Sequence, residues 1–507
     1  MARVVPLLLI AAASSLLPVF MSETGAGEIA NGIVQASENK HSNSSSLKGL
    51  RSIEGSTSCG NQGCHGRLDP LPQQPLLRNE STTWFAKDPH AGAYELLKEE
   101  RSRGIADRLN GPGKPAHLDA RCLSCHANPV VAKFAENHQQ ELWNNLEMAR
   151  ELDRAAMKGT GVGCESCHTS PGHSTGEYLT KHVEWGPTAV GLDLWKSADR
   201  LNGWESAGLA PLTRSRVLVE LCSSCHVGSP GNAKEPARDC NHDIMAAGHP
   251  RLVFDAPTYL SRLPSHWNTK QYSDPDSRMA GMHVTGQAVA AHKLVSLSAI
   301  HARREGLPWP EFSDMDCYSC HSNLTASTDS WRHRGWLSGD IGRSVSPGHF
   351  VSNRMAVSLA VTMGGQSSAE SAMEAWTKSM GSGRRKDVAR AADALLLELE
   401  KWLDEAKALE MIPPLKRGEF LRRLGNPAGK AIESGRWDQA EAFTVSLYWL
   451  SRGIKPDPEP DLFESSFAAL AFPKGHQGPL EFHRTDKVQA MKKLADWSRN
   501  LAGRSSP

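Results

Sequence analysis

The stretch CLSCH, residues 122–126, returns as CESCH at 164–168, CSSCH at 222–226 and CYSCH at 317–321. With 11 cysteines and 21 histidines in 507 residues, chance placement would give about 0.01 strict C-x-x-C-H matches. A fifth copy is written with a longer gap, CGNQGCH at 59–65, so ten of the eleven cysteines fall into pairs that end in histidine and only Cys240 stands outside. The spacing has a mechanical meaning. C-x-x-C-H is the attachment pattern of c-type haem: two thiols form thioethers with two porphyrin vinyl groups, and the next imidazole lies under the ring to bind iron. The cofactor-binding set is therefore Cys59, Cys64 and His65; Cys122, Cys125 and His126; Cys164, Cys167 and His168; Cys222, Cys225 and His226; and Cys317, Cys320 and His321. It implies five haem c. A zinc ribbon would need two pairs converging on one metal and no histidine after each, and a redox dithiol would occur once. For the longer Cys59–Cys64 spacer the competing reading is a disulfide loop.

The second ligand on each iron decides what the centre can do. Two histidines saturate it for electron transfer, whereas an open position admits a small substrate. Sixteen histidines lie outside the motifs, thirteen of them between His90 and His349. His90 follows Asp88 and Pro89, residues suited to a first helical turn. His117 lies five residues before Cys122, and His173 follows a Pro-Gly turn that folds the chain back. His242 and His249, seven apart, share one side of a helix, with His249 the preferred ligand and His182 a weaker candidate. In VTGQAVAAHKLVSLSAIHAR, residues 284–303, His292 shares a stripe with Ala288, Val295 and Ala299, opposite His283 and His301. Either His292 or the other two face the haems, and His292 is preferred. For each of these the plain alternative is an ordinary core or surface histidine. His138, His266, His333 and His349 stand in reserve. Met245 and Met282 could serve as ligands but read first as core fillers, and Cys240 reads as a buried thiol.

The chain is long enough for two or three domains. Its net charge of +1 gives no electrostatic reason to expect nucleic acid or an anionic membrane surface. Residues 1–22 read as an export signal: Arg3, an uncharged apolar run from Val4 to Met21, then small and polar residues, with cleavage within 22–30 or retention as an N-terminal membrane anchor. Residues 23–57 follow as a Ser-, Asn- and Gly-rich tether. The five motifs then succeed one another at gaps of 63, 42, 58 and 95 residues, making 58–350 one haem-bearing unit of short helices and long Gly/Pro loops with little room for sheet. Residues 351–507 carry no cysteine and read as a helical C-terminal domain. Ala391, Leu395, Leu399, Leu403 and Ala406 recur at helical spacing, with further helices expected at 415–424, 437–452, 459–470 and 485–502. The fold class is therefore mainly α.

The tandem motifs, WFAKDPH at 84–90, GVGCESCH at 161–168, CNHDIMAAGHPRLVFDAPTYL at 240–260 and DCYSCH at 316–321 with SWR at 330–332 resemble exported multihaem cytochromes related to cytochrome c-554. That group is in turn similar to pentahaem nitrite reductase and octahaem hydroxylamine oxidoreductase. The resemblance spans roughly 55–350. It implies a compact array of stacked haems, mostly held by two histidines, moving electrons between periplasmic or membrane redox partners, with His90 serving the third haem and His173 or His182 the fourth. Two departures stand out. Pentahaem nitrite reductases usually carry Lys at the catalytic motif, where all five motifs here end in His; the cytochrome c-554 pattern has four haems and no such C-terminal helices. The first functional expectation is periplasmic electron transfer, and the alternative is an oxidoreductase with one open haem acting on a small nitrogen or sulfur species.

Overall fold

A computed structural model describes residues 47–71, 77–170, 205, 208–250, 252–269, 273–306, 308–314, 352–406, 409–433, 437–454, 461–470 and 485–502. The third and fourth motifs fall inside this set with the first and second; Cys317, Cys320 and His321 lie outside it, as do the signal segment, His173, His182, His333 and His349. Everything below concerns the unit Gly49–Pro507.

Among the described residues the architecture is helical with no sheet; two isolated bridges, Thr169–Leu209 and Ser229–Arg238, are the whole of its β pairing. The motif-bearing part begins with α1 (Ser56–Cys59), α2 (Glu80–Lys87) and α3 (Glu100–Asn110), followed by α4 (Ala120–His126), α5 (Pro129–Asn144), α6 (Leu146–Gly159) and α7 (Cys164–His168). Next come α8 (Ser215–His226) and α9 (Ala256–Arg262). The starts of α4, α5, α6 and α9 are fixed by short polar side chains that satisfy the orphan amides of a first turn. Asp119 accepts from Arg121 N at 2.9 Å, Asn128 from Val130 N at 2.9 Å, and Asn145 from Glu147 N and Met148 N at 3.1 Å each. Pro129 at the start of α5 gives up no amide that the helix could use.

The central rod is α10 (Pro275–Arg303), opened by Asp274 capping Ser277 N at 3.0 Å. It is buried almost all round, so it carries no single wet face. Gly281 allows that burial, since a Cβ there would stand 2.3 Å from the Leu409 carbonyl oxygen. Against α10 pack α11 (Ser352–Gly364) and α13 (Arg385–Ala406), with α12 (Ser367–Ser382) on α13. The set closes with α14 (Pro414–Glu433), α15 (Trp437–Ser451), α16 (Asp461–Leu470) and α17 (Thr485–Ala502). One apolar core runs from Val219 through Val295, Leu395, Leu399 and Phe420 to Leu494, so helices on both sides of residue 350 bury their faces together. The expected C-terminal helices are all present. The segment expected at 415–424 continues to Glu433 straight across Pro427, because Ala428 is fully buried and the helix lies along α17. Among the described residues no helix is long and apolar enough to cross a membrane.

Candidate functional site

A helix turns C-x-x-C-H into a one-sided tool, since positions i, i+3 and i+4 lie on the same face. That is how the structure presents the second, third and fourth motifs: α4 ends on His126, α7 is Cys164–His168, and α8 ends on His226. In the first motif α1 ends at Cys59, and the longer spacer bends through a turn in which Cys64 N and Gly66 N donate to Asn61 O at 2.9 Å each. All nine described cysteines are free thiols, Cys59 and Cys64 included. Among the described residues no three His, Cys, Asp or Glu side chains converge as a metal cage.

The motifs come together in twos. Cys59 lies beside Cys164, and the contact pushes the Cys59 thiol up and draws Cys164 down. Gly163 permits this junction: a Cβ there would stand 2.2 Å from Ser56 Oγ. Across it, the Glu165 carboxylate accepts from Glu54 N at 3.0 Å and Gly55 N at 2.8 Å, and Gly55 holds φ 85° where its Cβ would strike the Lys158 carbonyl. Cys125 likewise meets Cys225, its Sγ 3.9 Å from the Cys225 carbonyl. The contact draws Cys225 down, with the Arg238 guanidinium adding to the effect, and pushes Cys125 well up.

The imidazoles also pair. The rings of His126 and His249 stand 6.4 Å apart between centroids at 87°, and those of His90 and His226 stand 5.9 Å apart at 90°. Two imidazoles on opposite faces of one metal, each bonded at about 2 Å, would set ring centres about 6 Å apart. Nδ1 anchors orient several of these rings. His126 Nδ1 meets the Ala93 carbonyl at 3.1 Å, His249 Nδ1 the Pro250 carbonyl at 2.8 Å, His90 Nδ1 the Asp88 carboxylate at 2.8 Å, and His65 Nδ1 the Glu80 carboxylate at 2.9 Å. An acceptor on Nδ1 fixes the tautomer that offers Nε2 to a metal, which is how haem-type and zinc-type histidines are usually oriented. Electrostatics separates the rings further. His90 is raised by its bond to Asp88, while burial lowers His126 and takes His226 down to about 4, the neighbouring His90 and His126 adding to the latter.

A cavity of about 810 Å³ opens on His226, walled by Phe254, Leu294 and Leu297 and, from α15, by Tyr448 and Trp449. Its size lies in the range that encloses a cofactor. Paired thiols, imidazoles with fixed tautomers and a cavity whose lining mixes apolar walls with charged groups such as Asp239, Asp255 and Arg452 together fit a covalently attached porphyrin.

The remaining candidates occupy other settings. His90, linked by resemblance to the third haem, shares backbone contact with the third motif, Val162 N reaching His90 O at 3.3 Å, but its ring faces the fourth-motif His226. His117 lies in the single turn Ala116–Leu118, lowered by burial, with Asp153 and Lys98 nearby. His292 turns Nε2 to Glu400 on α13 at 3.3 Å. His283 has both nitrogens engaged, Nδ1 with Asp255 at 2.6 Å and Nε2 with Ser446 Oγ at 3.0 Å. His301 is held by Asp239 and Asp314. Met282 fills the core, Met245 lines the cavity, and Cys240, expected as a buried thiol, is half-buried, pushed up to about 12 chiefly by desolvation, its Sγ 3.4 Å from His249 Nδ1. Sequence reasoning missed the carboxylate anchors and Arg238. Asp88, two residues before His90 at a turn start, carried the one legible hint.

The family profile described as cytochrome c554 and c-prime matches residues 58–169, the segment that carries the first three motifs. The match supports a c-type cytochrome assignment, with covalently bound haem c and a redox function built on it. No curated protein and no solved structure matches the chain.

Proposed function

We propose that the chain is an exported, periplasm-facing cytochrome that carries five haem c groups and passes electrons between redox partner proteins, without nucleic acid as a partner. The observation that carries this reading is the His126–His249 pair, two half-buried imidazoles at 6.4 Å whose Nδ1 atoms each meet a carbonyl oxygen. In this reading Cys122 and Cys125 anchor one haem between His126 and His249, and Cys222 and Cys225 anchor another between His226 and His90. Cys59, Cys64 and His65, Cys164, Cys167 and His168, and Cys317, Cys320 and His321 hold the other three. When bound, haem supplies a one-electron iron couple. The chain's part is to fix ligand orientation, exclude water and keep neighbouring sites close: the Cys59–Cys164 and Cys125–Cys225 contacts support two closely spaced pairs, first with third and second with fourth. Two histidines per iron leave no position for a substrate, which favours electron transfer over catalysis.

The test is spin state. His249→Ala should keep the covalent haem content and convert one ferric centre from low to high spin in electron paramagnetic resonance, with carbon monoxide binding gained on reduction. An unchanged spectrum at full haem content would remove His249 from the ligand set.

A further inference from the structure

The two ends of the motif cluster are charged in opposite senses. At the second motif both ring anchors are neutral carbonyls, Ala93 O and Pro250 O. Beside it lies Arg238, 4 % exposed, donating Nε to the Ser124 carbonyl at 2.8 Å while its buried Nη1 finds no hydrogen-bond partner among the described residues. The bridge to Ser229, with Ser229 N on Arg238 O at 2.7 Å and Arg238 N on Ser229 O at 2.8 Å, holds this side chain in place. The local carboxylate, Asp119, is offset by Arg121 at 2.7 Å. At the first motif the signs reverse. His65 is anchored by the Glu80 carboxylate at 2.9 Å, and Glu165, 5 % exposed, lies across α1 with only backbone amides as its hydrogen-bond donors. Of the cations on that side, which include Arg67 and Lys158, Arg78 reaches Gly63 O from an exposed position at 3.2 Å, where water and salt screen it.

A buried cation favours the iron state with one more electron, and a carboxylate on the imidazole makes the ligand more basic and favours the oxidised state. We infer that, among the first, second and fourth motifs, the haem site of Cys122, Cys125 and His126 has the highest potential and that of Cys59, Cys64 and His65 the lowest, so that electrons run from the first motif toward the second, with Arg238 and Glu80 as the residues that set the slope. At the fourth motif the influences oppose, Asp88 on His90 against Arg238 and the half-buried Lys293, and its potential falls between the other two. This inference rests on the haem reading above.

The experiment is a spectroelectrochemical titration of the full chain, with covalent haem counted in each sample. The component lost in Cys122→Ala/Cys125→Ala should lie at higher potential than the one lost in Cys59→Ala/Cys64→Ala. In fully loaded protein Arg238→Gln should move the component assigned to the second motif to lower potential, with recovery in Arg238→Lys, and Glu80→Gln should move the component assigned to the first motif up. Should the cysteine or Arg238 variants not assemble, Glu80→Gln decides the matter alone, because Glu80 lies outside the apolar core. Components that stay in place in loaded Arg238→Gln or Glu80→Gln protein overturn the inference. A wild-type chain without covalent haem overturns the underlying reading instead.

Discussion

His301 lies between two carboxylates, with Asp239 Oδ2 at 2.8 Å from Nε2 and Asp314 Oδ2 at 3.0 Å from Nδ1. Burial alone would pull this imidazole down, but the two hydrogen bonds and charges outweigh it and raise it to about 10. A proton held more tightly in the folded than in the unfolded chain stabilises most below the unfolded value near 6.5, and the benefit drains away as pH rises toward 10. His301→Asn should therefore cost about 3–5 kcal/mol near neutral pH, because the buried Asp314 and the half-buried Asp239 lose their shared cation. Urea unfolding at pH 6, 8 and 10 checks this: the wild type should weaken across the series more steeply than the variant, and parallel losses would refute it. At this scale the sequence was uneven. Cys122, Cys125 and His126 are legible because i, i+3 and i+4 are local; the partners of His283 and His301 are not, since Asp255, Asp239 and Asp314 reach them only through tertiary folding. Arg238 was passed over because a guanidinium is expected at the surface.

Among the elements, α10 carries the most weight: its residues from Ala280 to Ala302 meet the motif-bearing helix α8 on one side and α11 and α13 on another. Leu399 on α13 is 1 % exposed in that shared core. Leu399→Ala should cost about 2–5 kcal/mol through lost burial and the cavity left behind, read as a lower midpoint in chemical unfolding. A chain ending after Phe350 should leave the apolar face of α10 bare and be cut within 275–303 by limited proteolysis, whereas resistance there would show that α10 needs no C-terminal partner. Periodicity revealed α13 well, with Leu395, Leu399 and Leu403 buried as the spacing requires. It failed for α10, where a stripe through His292 was sought in a helix buried on nearly every side, so no stripe exists to be read. It also stopped α14 too early, since Pro427 costs an amide bond that packing against α17 outweighs.

For the whole molecule, length and net charge said little, while the tally of ten paired cysteines out of eleven said most. The family match over 58–169 and the helical architecture, without sheet among the described residues, agree with that tally. What the sequence could not supply is which motif adjoins which, because the Cys59–Cys164 and Cys125–Cys225 junctions bridge about a hundred residues each. The most direct measurement is the intact mass and pyridine haemochrome absorbance of the purified full chain after denaturation and acidic organic extraction. Thioether attachment of five groups predicts a red polypeptide carrying five porphyrin masses that extraction does not remove. A colourless polypeptide with no added mass would contradict it.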